Sequence, residues 1–561
     1  MTERLIARIL ALGAAFTALF VISGSVTDPV NVPKLMSIGV VGSAVIALII
    51  TCYLGLLWRK NRTLICLLAL FLVFMTHSVV VSASPLSQNL YGSYGRNNGL
   101  IAYLFLIFIL VGALSLQSRS SFELLEKGLL VAGLVNVIYC LWVVTFGDFI
   151  GWSNPYGNIL GTFGNPNFIG SFLGIFFAAY LAYAMKPGVS RLLKYSSVLV
   201  LPITAFEIYK SQAIQGRVVA ALGLGIIGFL YIRAKYGRIA LLLYSTALLS
   251  GGFLALLGAL QIGPFTDYIY KTSVSLRGQY WLAGWNTGQS HPFSGVGMDA
   301  FGDWYRRSRD AHALEVPGVN TIVNAAHNVP LDMLAFGGWP LFLTYLTIMS
   351  FTAVAVVKVI RRQEEFDATL AVLVVAWAGY QLQSIISINQ IGLAVWGWVL
   401  SGALIAYEQA TRDGALQDAP HVVPQRKKKQ ELSSHPKLIL VSTFGALIGL
   451  LIAIPPLTSD VKWRSAQLTR TLEGLESTMK PSYFTPQNST MYLSNIETLE
   501  SSKLFDLSHK YALEAVKWNP EAFDLWKILY LIQKSTPAEK ALSLENMKRL
   551  DPLNPDVTSV K

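Results

Sequence analysis

The chain has 561 residues, of which 53% are hydrophobic and only 14% are charged. A water-soluble globular protein of this length carries a larger charged fraction, so the composition excludes that class and predicts an integral membrane protein. The net charge of +12 would suit a nucleic-acid-binding protein, but the sequence has no nucleic-acid-binding motif and its basic residues follow a membrane pattern instead.

Thirteen apolar runs of about 20 residues are each long enough to cross the ~30 Å hydrocarbon core as a helix. They predict an all-α, polytopic integral membrane protein of about 13 transmembrane helices, twelve in the main body and one before a polar tail. The predicted spans are residues 6–26, 35–57, 63–83, 99–116, 128–148, 167–185, 195–209, 217–233, 238–259, 328–358, 367–387, 391–408 and 437–456. The first span has basic flanks like a signal peptide, but its apolar run is too long, and we expect it to be retained.

Lysines and arginines are concentrated on one side of the predicted membrane. With a cytoplasmic N-terminus, the basic loops are residues 58–62, 119–127, 186–194, 233–238 and 358–362 and the QRKKK run at 425–429. This is the positive-inside pattern, and it leaves the other side poor in positive charge. The basic residues on that poor side are Lys34, Arg96, Lys210, Arg217, Lys271, Arg277, Arg306, Arg307 and Arg309.

These patterns divide the chain into a membrane domain (1–410, with an outer loop at about 261–328), a basic cytoplasmic linker (411–436), a final transmembrane helix (437–457) and a helical extracytoplasmic domain (458–561). In the last of these, the pairs Asn519–Pro520 and Asp551–Pro552 are 32 residues apart. This spacing is close to the ~34-residue tetratricopeptide period. Two partial copies suit a tetratricopeptide-like domain and a plain helical cap about equally, and both stay open.

The predicted outer loop is the one long polar segment of the membrane domain. It contains SLRGQYW (Ser275–Trp281), HPFSGVG (His291–Gly297) and AAHNVPLDML (Ala325–Leu334), which place Arg277 and His327 where membrane meets water. An arginine offers a planar fork to phosphate oxygens, and a histidine can take up a proton near neutral pH. The loop therefore predicts a membrane enzyme that handles a phosphorylated substrate at the bilayer surface.

Three further fragments on the same predicted side carry Gly and Asn at helix starts: YGSYGRNNG (Tyr91–Gly99), GTFGNPNFIGSF (Gly161–Phe172) and SQAIQGRVVA (Ser211–Ala220). Free backbone N–H groups at such starts can face an anion. A lone arginine such as Arg96 or Arg217 more often reaches lipid headgroups. Several fragments on one face, together with Arg277, instead favour a shared anion pocket.

His327 is the candidate proton-transfer group, because it precedes Asn328 at the expected start of the tenth span. A single histidine at a helix start is more often a cap or an interface residue, so that role also stays open. Asn328, Tyr280 and His291 are taken as supporting residues, and His291, which precedes Pro292, is interpreted as structural.

The sequence predicts no metal site. The three cysteines lie in predicted spans without metal-ligand spacing and are interpreted as packing residues. Asp299, Asp303 and Asp310 are candidate orienting groups or ligands, but they form no D-x-D pair and have no His/Glu cluster beside them.

At these fragments the sequence resembles the O-antigen ligase-related membrane family, which includes lipopolysaccharide O-antigen ligases, O-antigen polymerases and bacterial protein O-oligosaccharyltransferases. The resemblance covers roughly residues 64–408. It is carried by GRNNG (95–99), GTFGNPNF (161–168), QAIQGR (212–217), LRGQYW (276–281), HPFSGVGMDAF (291–301) and AAHNVPLDMLAFGGWPL (325–341). Family members often have an acidic residue two places before the glycine of the histidine helix, where this chain has Phe336 ahead of Gly338. This departure puts an acidic helper for His327 in doubt.

The resemblance implies a metal-independent, inverting glycosyltransferase without a cofactor, in the cytoplasmic (inner) membrane of a bacterium. Its donor would be a glycan on undecaprenyl pyrophosphate, and its acceptor a glycan, a lipid A-core or a protein at the outer face. By the same resemblance Arg217 and Arg277, joined by Arg96, would hold the pyrophosphate, and His327 would take the acceptor's proton. Some relatives carry a tetratricopeptide-like tail, which would be a candidate surface for a protein partner.

Two alternatives stay open. The first is a polymerase of O-antigen or another surface polysaccharide, which differs from a ligase only in its acceptor. The second is a transporter or flippase of lipid-linked glycans, whose arginines would bind pyrophosphate without bond breaking. Transporters usually show internal repeats and matching broken helices. This sequence shows no such symmetry, and its long asymmetric outer loop favours an enzyme. Membrane lipids are expected partners and nucleic acids are not.

Overall fold

The computed structural model describes residues 2–416 and 436–560, and within that part of the chain it consists of helices without a strand. The first part contains α1 (Thr2–Leu19), α2 (Asn31–Cys52), α3 (Leu54–Val81), α4 (Leu86–Tyr91), α5 (Leu100–Ala113), α6 (Arg119–Phe146), α7 (Pro166–Ala184), α8 (Arg191–Lys210), α9 (Ile214–Lys235), α10 (Arg238–Ala259), α11 (Thr266–Ile269), α12 (Thr272–Ser290), α13 (Phe301–Ser308), α14 (Val329–Arg362), α15 (Ala368–Ile386) and α16 (Ile391–Arg412). Single 3₁₀ turns lie at Gly161–Phe163 and Ala311–Leu314. The second part contains α17 (Pro436–Ala453), α18 (Pro455–Thr469), α19 (Leu472–Thr478), α20 (Ser489–Ser501), α21 (Phe505–Trp518), α22 (Phe523–Leu531), α23 (Pro537–Leu550) and α24 (Pro555–Thr558). The all-α prediction is confirmed.

The membrane helices match the apolar pattern of the sequence. Among the described residues, eleven helices are long and apolar enough to span a membrane: α2, α3, α6, α7, α8, α9, α10, α14, α15, α16 and α17. The other two predicted spans coincide with α1 and with the 14-residue α5. Helix α16 is buried along nearly its whole length, whereas α10 buries only Gly258 and exposes its leucines at the periphery. The protein is therefore a multi-pass membrane protein built around α16. Most of the basic linker, with the QRKKK run, lies outside the described residues.

Several predicted loops are more helical than expected, including residues 119–127, which begin α6, and 358–362, which end α14. Residues 58–62 continue α3, and the chain bends at Asn61, whose backbone leaves the helical region and whose side chain accepts a 2.6 Å hydrogen bond from Gln409. The outer loop contains α11, α12 and α13. Helix α12 packs through residues that include Gly284, Thr287 and Gly288, which are small or polar. Its sequence therefore lacks the apolar periodicity from which an amphipathic helix is predicted.

A kink divides α14 at Gly338, and residues 291–299 pack into it. Gly338 has φ +67°, and a Cβ atom there would lie 2.3 Å from the carbonyl oxygen of Pro292, so the position requires glycine. Two N–H groups of the 291–299 segment donate to the carbonyls of Ala335 and Phe336, at 2.9 and 3.1 Å. They satisfy carbonyls that a helix end leaves free. The first half of α14 is thus a short, separately capped helix with His327 before its N-terminus.

The polar tail is a helical domain with its own apolar core. The final span ends at Ala453 and α18 begins at Pro455, slightly earlier than predicted, because the two consecutive prolines there lack the N–H groups that would continue a helix. Helices α19–α23 pack around a second core that includes Ile496, Ala512 and Leu525. The tail is therefore a folded unit with a core of its own.

The tail is docked on the outer loop through charged groups. Asp551 pairs with Arg309 at 2.8 Å, both side chains being fully buried, and with Arg306 at 3.1 Å. Asn519, which ends α21 as Asp551 ends α23, donates to Asp303 at 3.1 Å. Removing one partner of such a buried pair leaves an uncompensated charge, which typically costs about 3–5 kcal/mol. Both Asx–Pro turns noted in the sequence are thus used to hold the tail against α13.

Candidate functional site

Most basic residues on the positive-poor side have structural partners. Lys34 donates to the last carbonyls of α1 at 2.7 and 2.9 Å, Lys271 donates to the carbonyl of Gln212 at 3.1 Å, and the arginines at the end of α13 bind the tail. Arg96 and Arg277 differ, because neither forms an ion pair among the described residues and the Nε atom of each is buried without a hydrogen-bond partner. The Nε atoms of Arg307 and Arg309 are buried in the same way, but the terminal nitrogens of these two arginines bind carboxylates of the tail. Buried polar groups are normally bonded, so a guanidinium with a free buried nitrogen and no ion pair is suited to an anionic ligand.

The turn that carries His327 is tightly fixed. His327 has φ +56°, a left-handed conformation that non-glycine residues seldom adopt. Asn328 is the N-cap of α14, and its side chain accepts a 3.0 Å hydrogen bond from the N–H of Leu331. The carboxylate of Asp332 accepts a 2.7 Å bond from the N–H of Ala326. The predicted helix start is confirmed.

Helix α12 brings Arg277 to this turn. The ring of Tyr280 lies 5.1 Å from the His327 ring, and the Trp281 indole donates to the His327 carbonyl at 3.3 Å. Residues three and four places apart share a helix face, so Arg277 lies on the side of α12 that faces His327. A Cβ atom on Gly284 would lie 2.8 Å from Ala326, which shows how closely α12 approaches the turn.

Arg96 lies in the loop between α4 and α5, and Asp299 holds that loop. The Asp299 carboxylate accepts hydrogen bonds from the N–H groups of Ser93 (2.8 Å) and Asn98 (3.2 Å). Asn31 donates to the carbonyl of Gly95 at 2.9 Å from the other side. Because Asp299 ends the segment that packs into the α14 kink, it links the Arg96 loop to the histidine helix. Burial raises the pKa of Asp299 to about 7, against the lowering effects of these bonds and of Arg96.

The positive charges of Arg96 and Arg277 affect the pKa of His327. Burial lowers the pKa of His327 to about 3, and the charges of Arg96 and Arg277 contribute to this lowering. Burial also lowers the pKa of each guanidinium, although an arginine remains protonated at any physiological pH. His327 is consequently neutral and able to accept a proton. Arg96 and Arg277 carry positive charge beside it, and neither forms an ion pair among the described residues, an arrangement that is chemically able to bind an anion.

Two predicted site residues lie apart from this group. Arg217 is exposed near the start of α9, with its guanidinium 5.5 Å from the ring centre of Tyr209. The Lys271–Gln212 hydrogen bond joins the starts of α9 and α12. His291 bonds to Ser290 at 3.0 Å and packs edge-on against Trp304, in keeping with its structural interpretation.

Sequence reasoning missed the role of Asp332 in the histidine turn. The sequence comparison drew attention to the position two residues before Gly338, where this chain has Phe336. The buried acidic residue of this helix is instead Asp332, in the first turn of α14. An acidic residue near a helix N-terminus is favoured by the helix dipole, which is the signal that could have found it. The other acids of the outer loop have structural partners: Asp303 accepts from Gln88 and Asn519, and Asp310 caps a 3₁₀ turn. Over the described ranges, no three His, Cys, Asp or Glu residues are grouped as metal ligands.

Comparison with protein families identifies the region that carries the site. Residues 198–346 match the family model described as O-antigen ligase. The matched region begins within α8 and ends within α14, so it includes Arg217, Arg277 and His327, and the resemblance noted in the sequence is confirmed. Arg96 and the tail lie outside it. A comparison with curated proteins gave no match. The match supports a membrane glycan ligase or polymerase type of role.

Proposed function

We propose that the protein, whose residues 198–346 match the O-antigen ligase family model, transfers a glycan from undecaprenyl pyrophosphate to an acceptor at the outer face of the cytoplasmic membrane. The single observation that carries this proposal is that Arg96 and Arg277, each with a buried unpartnered Nε atom and without an ion pair among the described residues, lie beside a neutral His327. An anion-binding pair next to a proton acceptor is what glycosyl transfer from a pyrophosphate requires.

The arginines would stabilise the leaving group. As the sugar C1–O bond breaks, its electron pair moves to the pyrophosphate oxygen, where negative charge grows. Arg96 and Arg277 would bind this oxygen and its neighbours through charge-assisted bonds in a partly dry site. Arg217, near the start of α9, would contact the outer part of the same group. Undecaprenyl pyrophosphate would then leave as the second product. Cleavage of the bond between the sugar and the pyrophosphate supplies the free energy for the transfer.

His327 would activate the acceptor. The acceptor hydroxyl attacks C1 from the face opposite the pyrophosphate, which inverts the anomeric configuration, and its proton passes to the neutral imidazole. Tyr280 and Asn328 would position His327, the first by ring contact and the second by capping the helix that follows. The step needs no cofactor, because the pyrophosphate is already a good leaving group.

The proposal is tested by turnover in vitro. Purified protein in detergent, given lipid-linked glycan from its native host, is expected to release undecaprenyl pyrophosphate in a one-to-one ratio with glycan transferred. Lipid A-core, excess glycan and host protein are offered as separate acceptors. Growth of the glycan itself would identify a polymerase. Movement of intact donor across sealed liposomes, without bond cleavage, would contradict the enzyme and support a transporter.

Sidedness gives a separate prediction, because the basic loops favour one orientation. Reporter fusions after Lys235 and Arg362 are expected to read cytoplasmic, whereas fusions after Asp310 and Val560 should read outside. The last two must agree, because the tail is joined to α13 by the buried Asp551–Arg309 pair. Inverse readings at all four points would put the proposed site on the cytoplasmic side, where it could not use an exported glycan.

A further inference from the structure

A cavity of about 440 Å³ is lined in part by Arg96, and the proposed chemistry uses none of its other lining residues. Its walls come from the α1–α2 loop, the Arg96 loop and the α6–α7 loop, with Arg464 of the tail at one edge. Arg464 is fixed there by a 3.3 Å hydrogen bond from its Nε to the carbonyl of Gly24. The volume is within the range of pockets that take small ligands, which is typically about 300–1,000 Å³.

The lining combines aromatic faces with amide groups. Trp152 is held by a 2.8 Å hydrogen bond from its indole nitrogen to Asp148, and the Tyr156 hydroxyl accepts a 3.2 Å bond from the Asn165 amide. These bonds fix the polar edges of the two rings, and both rings line the cavity. Asn31 adds a further amide, whose nitrogen donates to Asp28 and Gly95. A ligand with both apolar C–H faces and hydroxyl groups would satisfy such a surface.

We propose that this cavity is a sugar-binding subsite, which takes a sugar ring next to the pyrophosphate held at Arg96. The inference rests on the proposed function for the source of that sugar, which is either the donor glycan or a sugar of the acceptor. A lipid tail suits the cavity less well, because the walls are connecting loops with two guanidinium groups rather than apolar faces of membrane helices. A carbohydrate has both of the required features, an apolar C–H face and hydroxyl groups.

The test compares Trp152→Ala with Phe149→Ala in the full-length protein. Phe149 is a neighbouring aromatic residue of the same loop, 69% exposed, and it does not line the cavity. Binding is measured for three probes: the lipid-linked glycan, the free glycan released from it, and undecaprenyl pyrophosphate without sugar. The KM values for donor and acceptor are measured on the same preparations. Trp152→Phe, which keeps an aromatic face, is included as the conservative variant.

Trp152→Ala is expected to weaken binding of both glycan-bearing probes about 3- to 10-fold and to leave sugar-free undecaprenyl pyrophosphate unchanged. Trp152→Phe should recover most of the loss. A rise confined to the acceptor KM would show that the bound sugar ring belongs to the acceptor, and it would still support a sugar subsite. If Trp152→Ala and Phe149→Ala show the same binding for all three probes and the same two KM values, the sugar subsite is rejected. Glycan binding sensitive to Trp152 in a protein without turnover would retain the subsite and reject the proposed function.

Discussion

Replacing Arg277 by alanine is expected to lower turnover by about 100- to 1000-fold while the protein stays folded in the membrane. The Nε atom of Arg277 is buried without a partner, and one terminal nitrogen donates to the carbonyl and hydroxyl oxygens of Ser273, within the same helix. Removing the Arg277 side chain therefore breaks no side-chain hydrogen bond between helices among the described residues. Arg277→Lys should restore only part of the activity, because an ammonium group lacks the planar fork that binds two phosphate oxygens. Turnover and thermal stability in detergent are measured together.

Lys271→Ala is the matched control for this experiment. Lys271 is an exposed cation just before the same helix, and its hydrogen bond goes to a backbone carbonyl rather than into the site. We expect its loss to change turnover only a few-fold. Arg96→Ala should behave like Arg277→Ala, whereas Arg217→Ala, which removes an exposed group, should raise the donor KM more than it lowers kcat. Full activity in both Arg277→Ala and Arg217→Ala would rule out the phosphate site.

The membrane architecture was predictable because it depends on local properties. Each of the thirteen apolar runs coincides with a helix, since a stretch of about 20 apolar residues has few other stable conformations in lipid. The histidine turn was predictable for a similar reason: Asn328 followed by proline is a local signature of a helix start. Helix α12 was not, because it packs through glycines such as Gly284 and leaves no apolar stripe in the sequence.

Only part of the candidate site could be predicted from the sequence. Charge on the positive-poor side singled out nine basic residues, but nothing local distinguishes a paired arginine from an unpaired one. Arg309 is neutralised by Asp551, which is 242 residues away, and Arg96 lies close enough to act on His327 in a loop that Asp299 helps to fix. Such pairings depend on tertiary contacts between distant segments. The sequence identified the residue types of the site, and the fold determined which of them remain free to bind a ligand.

Substituting His327 is expected to stop turnover, by about 10²- to 10⁴-fold, with donor binding nearly unchanged because the arginines hold the pyrophosphate. His327→Asn is the informative variant beside His327→Ala. The backbone of His327 is left-handed, and asparagine adopts that conformation more readily than alanine does, so His327→Asn should keep the turn while removing the base. His312→Ala, which removes an exposed histidine of the same outer segment, is the control and should stay near wild-type activity.

Two results would contradict this role. Near wild-type turnover in His327→Asn would reduce the residue to a turn-former, and the base would lie elsewhere. Loss of donor binding together with turnover, in a variant of unchanged thermal stability, would make His327 part of the pyrophosphate site instead.

The pH dependence distinguishes the free protein from its donor complex. Burial and the two arginines lower the pKa of His327 to about 3, so the free protein keeps the base unprotonated at pH 5, where an ordinary histidine with a pKa of ~6.5 would be protonated. A pyrophosphate bound by Arg96 and Arg277 brings negative charge that offsets both arginines and raises this pKa. Activity falls as the pH drops through the pKa of a base, so the fall in kcat, which reports the complex, should lie at higher pH than the fall in kcat/KM. Coincident acid limbs would mean that the pyrophosphate binds away from these arginines, since its charge would then leave the imidazole unaffected.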